Sequence, residues 1–210
     1  RQSDDLENLS SCLGNQASIL RTRGELDKAM ALHQTQEIIC RQYDNLHGLS
    51  ASLGGQASIL QIRGDLDGAM ALLGEQERIC LQLGDLEGQS RSRRGQALIL
   101  EIRGNLDAAT ALCKQAECIC RQLGDLRALS GLLGDQAVIL RARGRLDEAM
   151  ALLREQERIC RQLGNLEGLS ISLGNQGVIS GDRGDIDQAM VLHKEEEQIC
   201  RQLGHLDGLQ

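Results

Sequence analysis

Apolar residues recur at steps of three and four along the chain, the spacing of one face of an α-helix. Across 46–60 they are Leu46, Leu49, Leu53, Ala57 and Leu60; across 66–80 they are Leu66, Ala69, Met70, Leu72, Leu73, Ile79 and Cys80. Gly64 separates these two stretches, and Gly84 followed by Asp85 closes the second. Glycine suits the left-handed turn just past a helix end, and Asp or Asn suits the N-cap of the helix that follows. Asp67 and Glu87 fall in first turns, where the helix dipole favours acid. No stretch alternates with period two, so no strand is expected. The pattern predicts two helices of about 17 to 18 residues, each roughly 27 Å long.

The same pair returns every 40 residues. The motif Arg-Gly-x-(Leu/Ile)-Asp starts at Arg23, Arg63, Arg103, Arg143 and Arg183, and Ile-Cys ends at Cys40, Cys80, Cys120, Cys160 and Cys200. Thirteen of the 40 columns are identical in all five units. A period of this length marks a stacked array and not two globular domains. The expected organisation is one array over 1–210, with units 1–40, 41–80, 81–120, 121–160 and 161–200 and the start of a sixth over 201–210. Each helical hairpin has apolar faces that only neighbouring hairpins can cover.

Leu13 to Ala29, Leu-Gly-Asn-Gln-Ala-Ser-Ile-Leu-Arg-Thr-Arg-Gly-Glu-Leu-Asp-Lys-Ala, resembles the tetratricopeptide repeat, and most of all the longer variety of kinesin light chains. Leu13, Asn15, Ala17, Leu20, Gly24, Leu26 and Ala29 fall on that family's pattern. Leu stands at both of the family's Tyr positions, Gln16 replaces a Leu, and the turn Pro is absent. The resemblance implies an all-α fold, a right-handed superhelical solenoid of five helix-turn-helix repeats. It also implies a ligand groove on the inner faces of the first helices. The partner-binding residues expected on that concave face are Asn15, Ser18, Arg21, Ile62, Arg91, Arg94, Leu98, Ile102, Asp135, Val138, Arg141, Asn175 and Val178. Asn15 and Asn175 match the family Asn that bonds a bound peptide backbone. The Lys and Asn set that clamps a terminal carboxylate is missing.

Composition narrows the field of functions. The chain has 210 residues with no Pro, Phe or Trp and one Tyr, so the core must be built from Leu, Ile, Ala, Met, Val and Cys. Modules that stack bases on aromatic rings are excluded, and a net charge of −7 offers no attraction to nucleic acid or anionic lipid. No apolar run approaches a membrane span, and no signal peptide opens the chain. The sequence starts without Met and without a polar capping helix, which reads as a piece of a longer array whose ends could associate end to end.

Candidate chemistry is sparse. The cysteines that close each unit sit beside Ile on an apolar face, and a packed helix layer should separate successive ones by more than a disulfide spans. They read as small core residues in a reducing, cytoplasmic setting. Cys113, Cys118 and Cys120 lack Cys-x-x-Cys spacing and a fourth ligand, so no metal site is expected. Gln16, Arg23, Asp27 and Glu37 recur in every unit, and repetition argues for bonds that fix the stacking, not for a catalytic centre. His33, His47, His193 and His205 are scattered, and no phosphate-binding loop or nucleophile elbow occurs. Neither enzyme activity nor a cofactor is expected.

The third unit departs from the others. Gln89 and Arg93 replace core Leu, and Arg91, Arg93 and Arg94 form a basic cluster; one reading is a locally weakened unit with Arg93 snorkelling from the interface, the other a contact for an acidic peptide. The expected function is a non-catalytic protein-interaction scaffold that binds a peptide or helix on its concave face. Two alternatives stay open: a sensor or regulatory region of a larger signalling enzyme, and a self-associating structural array.

Overall fold

A computed structural model describes residues 2–204, with side chains from residue 8 onward. It is all helix: α1 (Gln2–Thr22), α2 (Leu26–Gln42), α3 (Leu46–Ile62), α4 (Leu66–Leu83), α5 (Leu86–Ile102), α6 (Leu106–Leu123), α7 (Leu126–Ala142), α8 (Leu146–Leu163), α9 (Leu166–Asp182) and α10 (Ile186–Leu203). Among the described residues there is no strand. Every helix from α2 on has 17 or 18 residues. Of the expected sixth unit, residues 205–210 and with them His205 lie outside the described residues.

The turn chemistry is that of the sequence pattern. Gly64 and Gly84 have φ of 79° and 67°, and their equivalents in the other repeats are likewise left-handed. Asn45, Asp65, Asp85, Asp125, Asn165 and Asp185 each accept a bond from the backbone amide three residues on, satisfying a helix-start donor. Three positions depart. Asp44 occupies a junction where later repeats have glycine and is the one non-glycine residue at positive φ among those described. Glu25 and Arg145 stand where Asp65 and Asp185 cap, and neither makes a side-chain cap bond.

The chain forms two compact units, Arg1–Asn105 and Leu106–Gln210. In the first, α1 pairs with α2 and α3 with α4, α2 packs on α3 and α4 on α5, and α1 and α3 also touch, as do α3 and α5. In the second, α7 pairs with α8 and α9 with α10, while α6 packs on α7, α8 on α9 and α7 on α9. Neighbouring hairpins therefore cover one another, and one column shows what that is worth. Ile19 is 56% exposed, but its equivalents Ile59, Ile99, Ile139 and Ile179 are 0–1% exposed. Burying one such side chain contributes about 1.5–3 kcal/mol.

The recurring polar residues join one repeat to the next. Gln56 Nε2 donates to Glu37 at 2.6 Å, Gln96 to Glu77 at 2.7 Å, Gln136 to Glu117 at 2.8 Å and Gln176 to Glu157 at 2.6 Å. Arg63, Arg103, Arg143 and Arg183 reach back 36 residues to Asp27, Asp67, Asp107 and Asp147. Those aspartates are almost fully exposed. Water screens such pairs, so the half-buried Gln–Glu bonds and the apolar layers hold the stack. The buried cysteines carry a contact beyond their apolar role. Ser10, Ser50 and Ser170 hydroxyls lie 3.1–3.2 Å from the sulfurs of Cys40, Cys80 and Cys200. None of the eight cysteines is in a disulfide.

Candidate functional site

Helices α1, α3 and α5 present one continuous face within the first unit, and this face holds a cleft of about 750 Å³. Its floor is made of small residues: Gly14, Gly54, Gly55 and Gly95, with Ser11, Ser18, Ala51 and Ser58. The second helices close the floor from below. Gln36 and Gln76 lie under Gly14 and Gly54, and His33 and Leu73 lie under Gly55 and Gly95. A Cβ on Gly54 would stand 2.6 Å from Gln76 Nε2 and would push the end of that side chain aside.

His33 is buried, and its Nδ1 lies 3.1 Å from Gln36 Oε1. Burial pushes its pKa below the ordinary histidine value; the Gln36 bond opposes this and the charge of Arg21 adds to it. The floor is therefore neutral and rich in hydrogen-bonding groups. The lining includes Arg21, Arg91, His47, Asn15 and Asn45 and, among the described residues, no carboxylate. Arg91 Nη1 donates to Glu87 at 2.7 Å with both side chains exposed, while Arg21 makes no ion pair among the described residues.

Of the positions expected on this face, the cleft brings together Asn15, Ser18, Arg21 and Arg91. Ile62 and Ile102 are exposed at the ends of α3 and α5, outside the cleft lining; Arg94 and Leu98, half-buried within α5, also lie outside it. Asp135, Val138 and Arg141 lie on α7, and Asn175 and Val178 on α9 of the second unit. There Arg141 Nε donates to Asp182 at 2.6 Å, so the inner positions of α7 and α9 are also neighbours. Sequence reasoning missed His33, Gln36 and Gln76, which reach the cleft from the second helices. The signal was present in the glycine columns opposite them, 22 residues away along the chain.

The basic cluster of the third repeat is not a free triad. Arg93 Nε donates to Glu77 at 2.8 Å, and both side chains are mostly buried, so Arg93 is committed inward instead of snorkelling to solvent. Glu77 also accepts from Gln96, and Gln89, the second polar residue at a core column, donates to the Cys80 carbonyl at 3.4 Å. The repeat replaces apolar packing by a satisfied polar network. Among the described residues no group of His, Cys, Asp and Glu could hold a metal ion, and no helix is long and apolar enough to cross a membrane.

This arrangement of paired helices with one face left to the first helices is the tetratricopeptide-like repeat fold. The tetratricopeptide repeat family model matches residues 131–155. Three solved structures share the architecture. A glutamine-to-methionine variant of nearly identical tetratricopeptide-like repeats described as a "putative kinesin light chain" of Podosopora anserina is 18% identical, with 92% of this chain and 95% of that one covered, at a TM-score of 0.70. A Rap protein complexed with competence and sporulation factor gives a TM-score of 0.81 at 12% identity, covering 95% of this chain and 58% of that one. A signal-transduction ATPase with numerous domains and a tetratricopeptide-repeat sensor, from Pyrococcus horikoshii, gives 0.79 at 15% identity, covering 92% of this chain and 30% of that one. No curated protein matches the chain in sequence.

Proposed function

We propose that the chain is a non-catalytic scaffold that holds an extended, acidic segment of a partner protein against the inner faces of α1, α3 and α5. One observation carries this reading: among the described residues no acidic side chain lines the cleft, although the chain has 30 of them, and the lining contains two arginines. The glycine floor lets a backbone approach closely, and the amides and hydroxyls around it suit main-chain bonding. Without aromatic anchors, affinity is modest at any one position. Expected contacts along the second unit are Asp135, Val138, Arg141, Asn175 and Val178, with Ile62, Arg94, Leu98 and Ile102 flanking the cleft of the first. A cytoplasmic setting is part of the proposal and rests on cysteines placed as small core residues beside Ile.

The test is fluorescence anisotropy with a library of acidic, neutral and basic decapeptides against the wild-type chain and Arg21→Glu. Preference for acidic peptides, lost in the variant, supports the reading. Equal binding of all three classes, or no effect of Arg21→Glu, sinks it.

A second reading makes the array the sensor of a larger signalling enzyme. The likeness to the Pyrococcus horikoshii protein favours it, since there a region of this shape is 30% of a longer chain. A phosphate-binding loop in the same open reading frame would support it, and a frame encoding repeats alone would not.

A further inference from the structure

Two departures from the repeat meet in the second unit. The second helices begin with Ala-Met at 29–30, 69–70, 149–150 and 189–190, but with Ala109-Thr110 in α6. Met30 packs in a cluster with Ile59, and Met150 in one with Ile179. At the equivalent place Thr110 and Ile139 instead line a cavity of about 350 Å³ between α6, α7 and α8. Thr110 is shorter than the methionine that packs at this column in α2 and α8. The Thr110 hydroxyl donates to its own helix, to the Leu106 carbonyl at 2.7 Å, and so needs nothing from the cavity.

The remaining walls are divided in character. Leu140, Ala151 and Leu152 give apolar surface, with the buried Ile139 behind them. At the polar edge, Glu117 is engaged by Arg121 and Gln136, and Glu148 by Arg145, the residue that stands where a helix cap would be acidic. Lys114 is exposed and makes no ion pair among the described residues. A ligand fitting these walls has a short hydrocarbon body and one negative charge, and a volume of this size lies within the range of small-molecule sites.

We propose that this cavity is a binding site for a small amphipathic carboxylate, its hydrocarbon on Leu140, Ala151 and Leu152 and its carboxylate on Lys114. The site lies apart from the partner cleft, and the two proposals stand or fall separately. The test follows the methyl NMR signals of Ile139, Leu140 and Leu152 in the full chain during titration with octanoate and with neutral octanol.

The expected result is a saturable shift of these methyls by octanoate. Thr110→Met restores the residue of the other repeats; it should weaken binding about tenfold or more while leaving the melting temperature equal or higher. Thr110→Leu supplies a second filled variant. Lys114→Gln should weaken octanoate roughly threefold and leave octanol unchanged. No saturable shift, undiminished binding in a folded filled variant, or equal loss of octanol and octanoate with Lys114→Gln would each overturn the proposal.

Discussion

The imidazole of His33 occupies the space where a β-carbon on Gly55 would stand, 2.2 Å from Nε2. Because His33 is buried and bonded to Gln36, the ring has little room to yield. In an open helix, Gly→Ala gains about 1 kcal/mol. At Gly55 the overlap, at about 1–3 kcal/mol, should outweigh that gain. Gly55→Ala is therefore expected to lower stability by about 1 kcal/mol in urea denaturation, and to raise it in a His33→Ala background. The same sign in both backgrounds would contradict the contact.

Asp44 pays for a left-handed conformation that glycine adopts freely at the later junctions. Asp44→Gly should stabilise the chain by about 1 kcal/mol, whereas Gly84→Asp should lose a similar amount. Urea midpoints at constant slope would measure both.

The two kinds of ion pair should differ sharply. Glu77 accepts from both Arg93 and Gln96, and its removal leaves a mostly buried guanidinium without its partner. Glu77→Ala is expected to cost about 2–3 kcal/mol, somewhat less than a fully buried pair. Asp27→Ala, which breaks an exposed pair with Arg63, should leave the urea midpoint nearly unchanged.

Acid should weaken the array in two stages. Burial pushes the His33 pKa down, so below about pH 6.5 the unfolded chain binds a proton that the native chain refuses. Stability is full above that pH and falls as pH drops toward the folded pKa of the ring. His33→Leu, the residue of the second and fourth repeats, should flatten this first decline. The second stage belongs to Glu37. Burial raises its pKa, but hydrogen bonds from Gln56 and Arg41 outweigh burial and hold it below the ordinary carboxylate value. Its contribution is present above the unfolded pKa and is lost as pH falls through the folded one. Urea midpoints between about pH 8 and pH 3 separate the stages, and Glu37→Gln should reduce only the second.

Much of the fold could be read from sequence because its causes are local. Gly64 and Gly84 end helices by backbone geometry, and Asp65 and Asp85 begin them through a single side-chain bond, so both leave a mark on the chain. The polar columns were legible for a different reason. Gln56 and Glu37 recur at a fixed offset, and a bond made in every repeat must join fixed columns. The cleft was only half legible. Asn15, Ser18, Arg21 and Arg91 come from first helices, but His33 and Gln76 reach the floor from helices assigned wholly to packing. Their access depends on which opposite residues lack a β-carbon, a relation between two columns and not a property of either. Arg93 was misjudged likewise, since its partner Glu77 lies in the preceding helix and charge along the sequence alone does not show direction.

The bond from Gln56 to Glu37 has a further consequence. Each repeat carries a glutamine that faces backward and a glutamate that faces forward, so any repeat supplies both halves of a joint. Inserting or removing 40 residues in frame therefore recreates the joint without a new mutation. A gene of this kind can vary in length by recombination between its own repeats, and the protein it encodes stays closed at every seam.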